Sequence, residues 1–390
     1  MKESKTVASA VSGICIVALM AFGVNLIAAA PSDPSQFPSR PRVIEFASDP
    51  SFSPDGRRLA YVKNGEAGGT VWLKEGNHEP VCVVTDASSV HRPVWSPDSR
   101  CIAYLRFVDG DFTGFMDCTV RILDTTTGQS VDTGLVVSHL QFEYMPQQVQ
   151  WSPDSWRLVV SNGLLAIWDV GGAQATTLVE RGGKAQFASF SPSGQLIGYT
   201  EYENGQAPLK VYDVVSGETR VPFTAGIYEP RERWTSAPEW LDENRVLVET
   251  ENPDASIGVT LVDINTGSSQ LLVSSGFMPQ LSPDKSRFAY IAPDVWENDI
   301  YEMPSNVVTR LLGSHGDWFK WSPDGAHLLT WCRVVAVTFD ARDGGQASKL
   351  LEGDALGVYP SWAPDGRSVA IPGPVGNGPG TIVFGLEGGN

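Results

Sequence analysis

The feature that most constrains this chain is a short motif that recurs along almost its whole length. Residues 95–105 read W-S-P-D-S-R-C-I-A-Y-L, and the sequence holds seven plain copies of this stretch and an eighth that has lost its proline. The aspartates of the copies, or the residues that replace them, lie at positions 55, 98, 154, 193, 242, 284, 324 and 365. A period near 40 residues is the length of one four-stranded blade of a β-propeller.

Each residue type in the motif has a local structural reason. The aromatic residue ends one strand, proline presets φ at the first central position of a turn, and aspartate with glycine or serine closes that turn. β-Forming residues follow, as in Leu59-Ala60-Tyr61-Val62. We therefore interpret the motif as the corner between the first and second strands of a blade, and not as a catalytic site.

The copies resemble the WD40-like Pro-Asp repeats of TolB-type β-propellers, whose signature is an aromatic residue followed by S-P-D-G and an apolar strand. The match extends over roughly 330 residues. The resemblance implies an all-β propeller and says little about activity, because propellers carry many unrelated functions. The α/β domain of TolB and the hydrolase domain of prolyl-peptidase relatives have no counterpart in this sequence, so we expect neither function.

The two ends of the chain predict how the ring closes. The last copy supplies three strands, whereas residues 42–55 align with residues 270–284, which contain an outer strand. We expect the strand at residues 43–46 to complete the last blade and to protect its edge. The prediction is eight four-stranded blades; seven is the alternative if the degenerate copy at Trp240 forms no blade.

The first 41 residues differ in composition from the rest. Residues 6–30 carry no charge and have an apolar centre, which fits a signal-peptide core or one membrane-spanning helix. Residues 28–30 form a small-residue cleavage site, but Pro31 is unfavourable after the cut, so we prefer a retained anchor in residues 1–30 to a cleaved signal. A Pro/Ser linker at residues 31–41 then leads into a propeller domain at residues 42–390. The protein is expected to be exported and membrane-anchored, or secreted or periplasmic if the segment is cleaved.

Charge and cysteine content limit the classes of function. Lys and Arg number 28 against 45 Asp and Glu, for a net charge of −17, which disfavours nucleic acid as a partner. The cysteines beyond residue 30 have no zinc-like spacing; export would permit a disulfide, but we interpret them as small hydrophobic residues. These cysteines are Cys82, Cys101, Cys118 and Cys332. The sequence does not indicate an oligomeric state.

Two long connections interrupt the period and mark the expected working face. They lie at residues 136–147 and 226–238, between the outer strand of one blade and the inner strand of the next. Their aromatic and arginine residues are of the types that dominate binding interfaces, namely Tyr144, Tyr228, Arg231, Arg233 and Trp234. The leading hypothesis is a non-enzymatic propeller without a cofactor that binds an envelope protein, a peptide or a glycan here. The alternative for these aromatics is that they pack the loops onto the blades.

Three of the five histidines, His91, His139 and His315, are expected to fall in the same kind of connection, near the mouth of the channel. Three converging imidazoles could bind a divalent metal. Such a cluster is similar to the metal site of propeller-type oligogalacturonate lyases, so a metal-dependent polysaccharide lyase or hydrolase is the alternative function. Their offsets from the proline of the following motif are 6, 14 and 8 residues, and this divergence disfavours convergence. The sequence holds no nucleophile elbow and no glycine-rich phosphate loop.

Overall fold

The protein is described by a computed structural model covering residues 42–65, 68–108, 115–140, 149–161, 164–181, 185–201, 207–224, 236–314, 318–332, 335–352, 359–375 and 378–385. These residues form 32 strands in eight four-stranded antiparallel sheets and contain no helix. The eight sheets are the blades of a β-propeller. The predicted blade number is confirmed, and the copy at Trp240 does form a blade.

The first four blades follow the chain from inner to outer strand. Blade 1 contains β2 (Ser48–Phe52), β3 (Arg58–Gly65), β4 (Gly68–Glu75) and β5 (Val81–Asp86). Blade 2 contains β6 (Val90–Trp95), β7 (Cys101–Phe107), β8 (Phe115–Asp124) and β9 (Ser130–Leu140). Blade 3 contains β10 (Val149–Trp151), β11 (Arg157–Ser161), β12 (Leu165–Asp169) and β13 (Gln174–Val179). Blade 4 contains β14 (Ala185–Phe190), β15 (Leu196–Glu201), β16 (Pro208–Asp213) and β17 (Thr219–Thr224).

The next three blades repeat this order. Blade 5 contains β18 (Glu239–Trp240), β19 (Arg245–Glu251), β20 (Ile257–Asp263) and β21 (Ser269–Val273). Blade 6 contains β22 (Phe277–Leu281), β23 (Arg287–Ala292), β24 (Glu297–Glu302) and β25 (Val307–Leu311). Blade 7 contains β26 (Trp318–Trp321), β27 (His327–Trp331), β28 (Val335–Asp340) and β29 (Gln346–Glu352).

Blade 8 joins the two ends of the described chain. Its strands are β30 (Ser361–Trp362), β31 (Ser368–Val375), β32 (Gly378–Gly385) and, as the outer strand, β1 (Arg42–Glu45). β1 pairs with β32 in antiparallel register, with Val43 opposite Ile382. The predicted closure is confirmed, with the strand one residue earlier than expected because Phe46 adopts a left-handed φ of 55° in the turn that follows.

The hydrophobic core lies between the blades. One cluster joins Leu105 and Val120 of blade 2 to Leu158 and Ala166 of blade 3, and all four are fully or almost fully buried. Because each blade packs both of its faces against neighbours, its middle strands read as continuous apolar runs. None of the four cysteines in the described residues forms a disulfide; Cys82 is exposed and the other three are buried. Within this part of the chain no helix is long and apolar enough to span a membrane.

The S-P-D corner is a self-contained hydrogen-bonded turn. In blade 1, Ser53 Oγ accepts from the Arg58 amide at 2.9 Å and donates to Asp55 Oδ1 at 2.6 Å. The same oxygen of Asp55 accepts from the Arg57 amide at 3.0 Å. The motif's polar residues therefore bond to each other and to the backbone of the turn, as expected for a structural corner.

The tryptophan that opens the motif joins neighbouring blades. In five blades its indole Nε1 donates to a backbone carbonyl on the inner strand of the preceding blade. These bonds are Trp95 to Ser51 (2.9 Å), Trp151 to Val94 (3.0 Å), Trp240 to Ser189 (3.2 Å), Trp321 to Gln280 (3.0 Å) and Trp362 to Lys320 (3.3 Å). The preference for tryptophan at this position thus has a second cause besides strand propensity.

Candidate functional site

A cavity of about 640 Å³ occupies the centre of the ring, where the inner strands meet. We call the face where the connections between blades lie the entry face, and the face where the S-P-D corners lie the corner face. The cavity extends from Ser236 at the entry face to Pro54 and Pro97 at the corner face. The eight residues that directly precede the motif's first residue form what we call the channel ring. They are Ser51, Val94, Gln150, Ser189, Glu239, Gln280, Lys320 and Ser361, and all except Ser189 line the cavity.

Four channel-ring side chains reach to the next blade and accept a hydrogen bond from the backbone amide of its motif residue. The pairs are Ser361 with Phe52 (3.0 Å), Gln150 with Phe190 (3.2 Å), Glu239 with Leu281 (3.3 Å) and Gln280 with Trp321 (3.4 Å). The inner strand is the edge of each sheet, so its outward amides need partners other than a ladder strand. The channel ring therefore satisfies backbone donors as well as lining the cavity.

A second set of positions, which we call the mouth ring, lies two residues before the channel-ring residue in each copy and nearer to the entry face. Its members with described side chains are Asp49, Arg92, Ala237, Met278, Trp318 and Tyr359, all of which line the cavity. Asp49, Arg92 and Met278 have left-handed φ values of 48° to 54°, and their strands carry register shifts at these positions. Non-glycine residues rarely adopt this conformation, and it occurs at bulges that redirect side chains.

Arg92 and Tyr359 close one side of the mouth. The guanidinium of Arg92 lies 4.4 Å from the centre of the Tyr359 ring and also donates a hydrogen bond to its hydroxyl. Asp49 lies beside them and accepts from the Arg92 amide at 3.3 Å. Arginine stacked on an aromatic ring is a common element of binding sites.

Asp49 also fixes the ring of His91, whose Nδ1 is 3.2 Å from Asp49 Oδ2. Burial alone would raise the pKa of Asp49, but the hydrogen bond and charge of His91 and the charge of Arg92 outweigh it and hold the pKa below its ordinary value. Asp49 is therefore ionised at neutral pH. An ionised carboxylate only accepts hydrogen bonds, so Nδ1 of His91 carries the proton and donates the hydrogen bond to Asp49. His91 further contacts the edge of Phe107, with ring centres 4.8 Å apart.

Two carboxyl groups near the cavity are poorly solvated. Burial raises the pKa of Glu239 to about 7, although Lys285 and the Leu281 amide oppose the shift. Burial likewise raises the pKa of Glu249 to about 7, despite hydrogen bonds from the Met278 amide at 2.8 Å and the Ser236 hydroxyl at 2.9 Å. Both groups titrate near neutrality because the desolvation cost exceeds the gain from their donors.

Lys320 is the one lysine that lines the cavity among the described residues. Its side chain is exposed to the cavity, but protein surrounds the cavity, and the resulting desolvation lowers the pKa of the ammonium group. Together with Arg92 it places positive charge in the centre of a protein whose net charge is −17. Asp49 and Glu239 also line the cavity, so its lining carries charges of both signs.

The residues predicted to form the binding face lie outside the described residues. These are Tyr144, Tyr228, Arg231, Arg233 and Trp234. The described residues that flank them are Leu140 and Val149 for the first connection and Thr224 and Ser236 for the second, and each connection runs from an outer strand to the next inner strand. The assignment of these residues to a site stays a prediction.

His91 and His139 occupy different kinds of position. His91 lies in the inner strand β6, and His139 lies near the end of the outer strand β9 opposite Met116, so neither belongs to a connection as expected. The side chain of His139 and all of His315 lie outside the described residues. Within the described part of the chain, no group of three His, Cys, Asp or Glu residues could hold a metal ion.

The channel ring and the mouth ring were not identified from the sequence, although a signal was present. Aligning the copies on the motif also aligns the residues before it, and the lining residues fall one and three positions upstream. The insertions between copies, on which the predicted site was based, lie elsewhere in the sequence. When the copies are aligned, the motif is regular, whereas the position just before it varies and is mostly polar. That variable polar position is the feature that could have indicated the channel.

No family model and no curated protein sequence matches the chain. Among solved structures, a eukaryotic initiation factor has a TM-score of 0.56 at 14% identity, with 90% of this chain and 88% of that chain covered. Oligogalacturonate lyase in complex with manganese has a TM-score of 0.52 at 12% identity, covering 86% and 88%. TolB from Acinetobacter baumannii has a TM-score of 0.39 at 18% identity; 65% of this chain is covered, and the chain spans 62% of the TolB chain. At such identities, the first two similarities show a shared propeller fold and nothing about activity.

Proposed function

We propose that this protein is a non-enzymatic binding propeller that takes a protein, peptide or glycan ligand at the entry face of its channel. The observation that carries the proposal is the mouth ring. Arg92, Trp318 and Tyr359 combine cationic and aromatic character at the opening of a cavity of about 640 Å³. This volume and mixture of side chains are typical of ligand sites.

The cellular setting is a further part of the proposal. The apolar segment at residues 6–30 and the linker at residues 31–41 support an exported protein held at the outer side of a membrane. The repeated S-P-D-G-type corners support placement among the WD40-like Pro-Asp propellers of the TolB type. The partner is then an envelope component, and nucleic acid is disfavoured by the net charge of −17.

The test is capture of a partner from envelope extract by the immobilised propeller, with the partner identified by mass spectrometry. Joint replacement of Tyr228, Arg231 and Trp234 by alanine, or Trp318→Ala alone, should abolish capture, because these changes remove the aromatic and cationic groups of the entry face. The matched control is Trp156→Ala, an exposed tryptophan beside the S-P-D corner on the opposite face. Capture that survives both entry-face variants would contradict the proposal.

A metal-dependent lyase or hydrolase is the second candidate, and one contact favours it. Nδ1 of His91 is held by the carboxylate of Asp49, which is how metal-binding histidines are commonly oriented. The described residues bring no second and third ligand to His91. Calorimetric titration with manganese, compared between the native protein and His91→Ala, would support this candidate if one equivalent bound and the variant lost it.

A further inference from the structure

Four of the eight channel-ring positions do not place an acceptor against the next blade's motif amide, and one of these four carries a cation. Where four blades place an acceptor against the next blade's motif amide, blade 7 places Lys320. An ammonium group has three donors and no acceptor. At the junction of blades 7 and 8, the ammonium group of Lys320 therefore lies beside the next blade's motif amide, and both groups are hydrogen-bond donors.

The amide that faces Lys320 belongs to Trp362. Trp362 pairs with Val369, and the neighbouring Ala363 donates to Ser368 at 2.8 Å, so the Trp362 amide points away from β31 and toward the channel. No side chain of the channel ring accepts from this amide within the described residues, because the residue in place is a lysine. An anion at this junction would accept from both groups.

The charged side chains that line the channel also favour an anionic ligand. Arg92, the other cation of the described lining, is engaged with Tyr359, whereas Lys320 Nζ has no hydrogen bond or ion pair with any described residue. The ring's carboxylate, Glu239, belongs to blade 5 and accepts from the Leu281 amide. An unpaired cation in a poorly solvated site favours an anionic ligand.

A third donor lacks an acceptor in the same sector. Trp331 lines the cavity, is 8% exposed, and its indole Nε1 is buried with no hydrogen-bond partner among the described residues. Its ladder partner is Trp318, two residues from Lys320 toward the entry face, a separation of about 7 Å along the strand. On this side of the channel, donors without an acceptor are therefore spread over the length of about two extended residues.

We propose that this sector binds the C-terminal carboxylate of a peptide inserted from the entry face, with the carboxylate on Lys320 Nζ and the Trp362 amide. The proposal rests on the binding function proposed above and specifies its ligand. A peptide continues behind its carboxylate at steps of about 3.5 Å per residue, so an extended chain runs from Lys320 toward the entry face. An acidic sugar needs many polar partners for its hydroxyls, whereas Ser361, Gln150 and Gln280 are already bonded to backbone amides.

The experiment uses the immobilised full-length protein and a randomised library of N-acetylated tripeptides, supplied with free carboxylates or as C-terminal amides. Retained peptides are quantified by mass spectrometry. The carboxylate form should be retained about tenfold or more over the amide form, since a charge-assisted hydrogen bond is lost in the amide. Lys320→Met should remove this preference, and Lys74→Met, a change of a half-buried lysine on β4 that does not line the cavity, should leave it intact.

Equal retention of the two forms, an unchanged preference in Lys320→Met, or no retained peptide would overturn the proposal. Retention of a uronic acid trimer through Lys320 in place of peptides would also overturn it and assign the site to an acidic sugar. If envelope capture depends on Trp318 but Lys320→Met leaves it unaffected, the carboxylate site is wrong and the binding function stands. If no partner is captured at all, the binding function itself fails.

Discussion

At the scale of single residues, Glu249 gives the sharpest prediction. Its pKa is about 7 in the folded protein, against an ordinary value of 4.5. Between these values the native state binds more protons than the unfolded chain, so the contribution of Glu249 makes the protein less stable as pH rises through this window. The group's full contribution is present below about pH 4.5 and is lost above about pH 7.

Glu249→Gln should therefore raise the free energy of unfolding at pH 8, on the order of 2 kcal/mol, and change it little at pH 4.5. Glutamine keeps an acceptor for Met278 and Ser236 and removes the buried charge. Urea unfolding at the two pH values measures the difference. Glu218→Gln, at an exposed turn position, is the control and should leave the pH dependence unaltered; equal pH slopes in native protein and Glu249→Gln would contradict the prediction.

The indole bonds between blades allow a second residue-scale prediction. Trp151→Phe removes the donor to the Val94 carbonyl but keeps most of the buried aromatic surface. The free energy of unfolding should fall by about 1 kcal/mol or somewhat more, because the carbonyl loses its second partner and some area is lost. Trp156→Phe, at a tryptophan that is 59% exposed, should change it by less than about 0.5 kcal/mol. A loss of the same size in both variants would show that the bond is not its cause.

At the scale of elements, β1 is the strand that closes the ring. It covers the edge of β32, and Thr381 Oγ1 donates to the Ala47 carbonyl at 3.1 Å next to the junction. Deleting residues 1–46 should lower stability, on the order of 2 kcal/mol, and promote self-association through the uncovered edge. Thermal unfolding and sedimentation velocity measure the two effects. Deleting only residues 1–41, which spares β1, is the control; if both truncated proteins behave alike, β1 does not close the ring.

The repeat made most of the elements predictable, because each motif marks the end of one strand and the start of the next. The eight blades, the degenerate blade at Trp240 and the outer strand taken from the N-terminal side follow from that spacing. The bulges at Asp49, Arg92 and Met278 could not be predicted, since non-glycine residues there give no sign of a left-handed φ. Those bulges set which side chains enter the mouth ring.

At the scale of the whole molecule, the net charge of −17 predicts how stability responds to salt. Like charges on the surface repel one another, and salt screens this repulsion. The melting temperature should rise between 10 and about 150 mM sodium chloride and then level off, as the Debye length approaches about 8 Å. Differential scanning calorimetry at fixed pH is the measurement. A melting temperature that falls with salt would contradict the prediction. It would show that screening of stabilising ion pairs, such as Arg106 with Asp86, outweighs screening of the repulsion.

The sequence by itself determined the class of fold, the number of blades and the structural role of the S-P-D motif, because those depend on local turns and strands repeated at a fixed period. Only the tertiary structure decided which residues share the channel. Lys320, Trp331 and Trp362 are separated along the chain and lie at unremarkable positions in their own copies. They come together only because blade 7 packs against blade 8, which brings β26, β27 and β30 side by side, and single-strand periodicity contains no information about that contact.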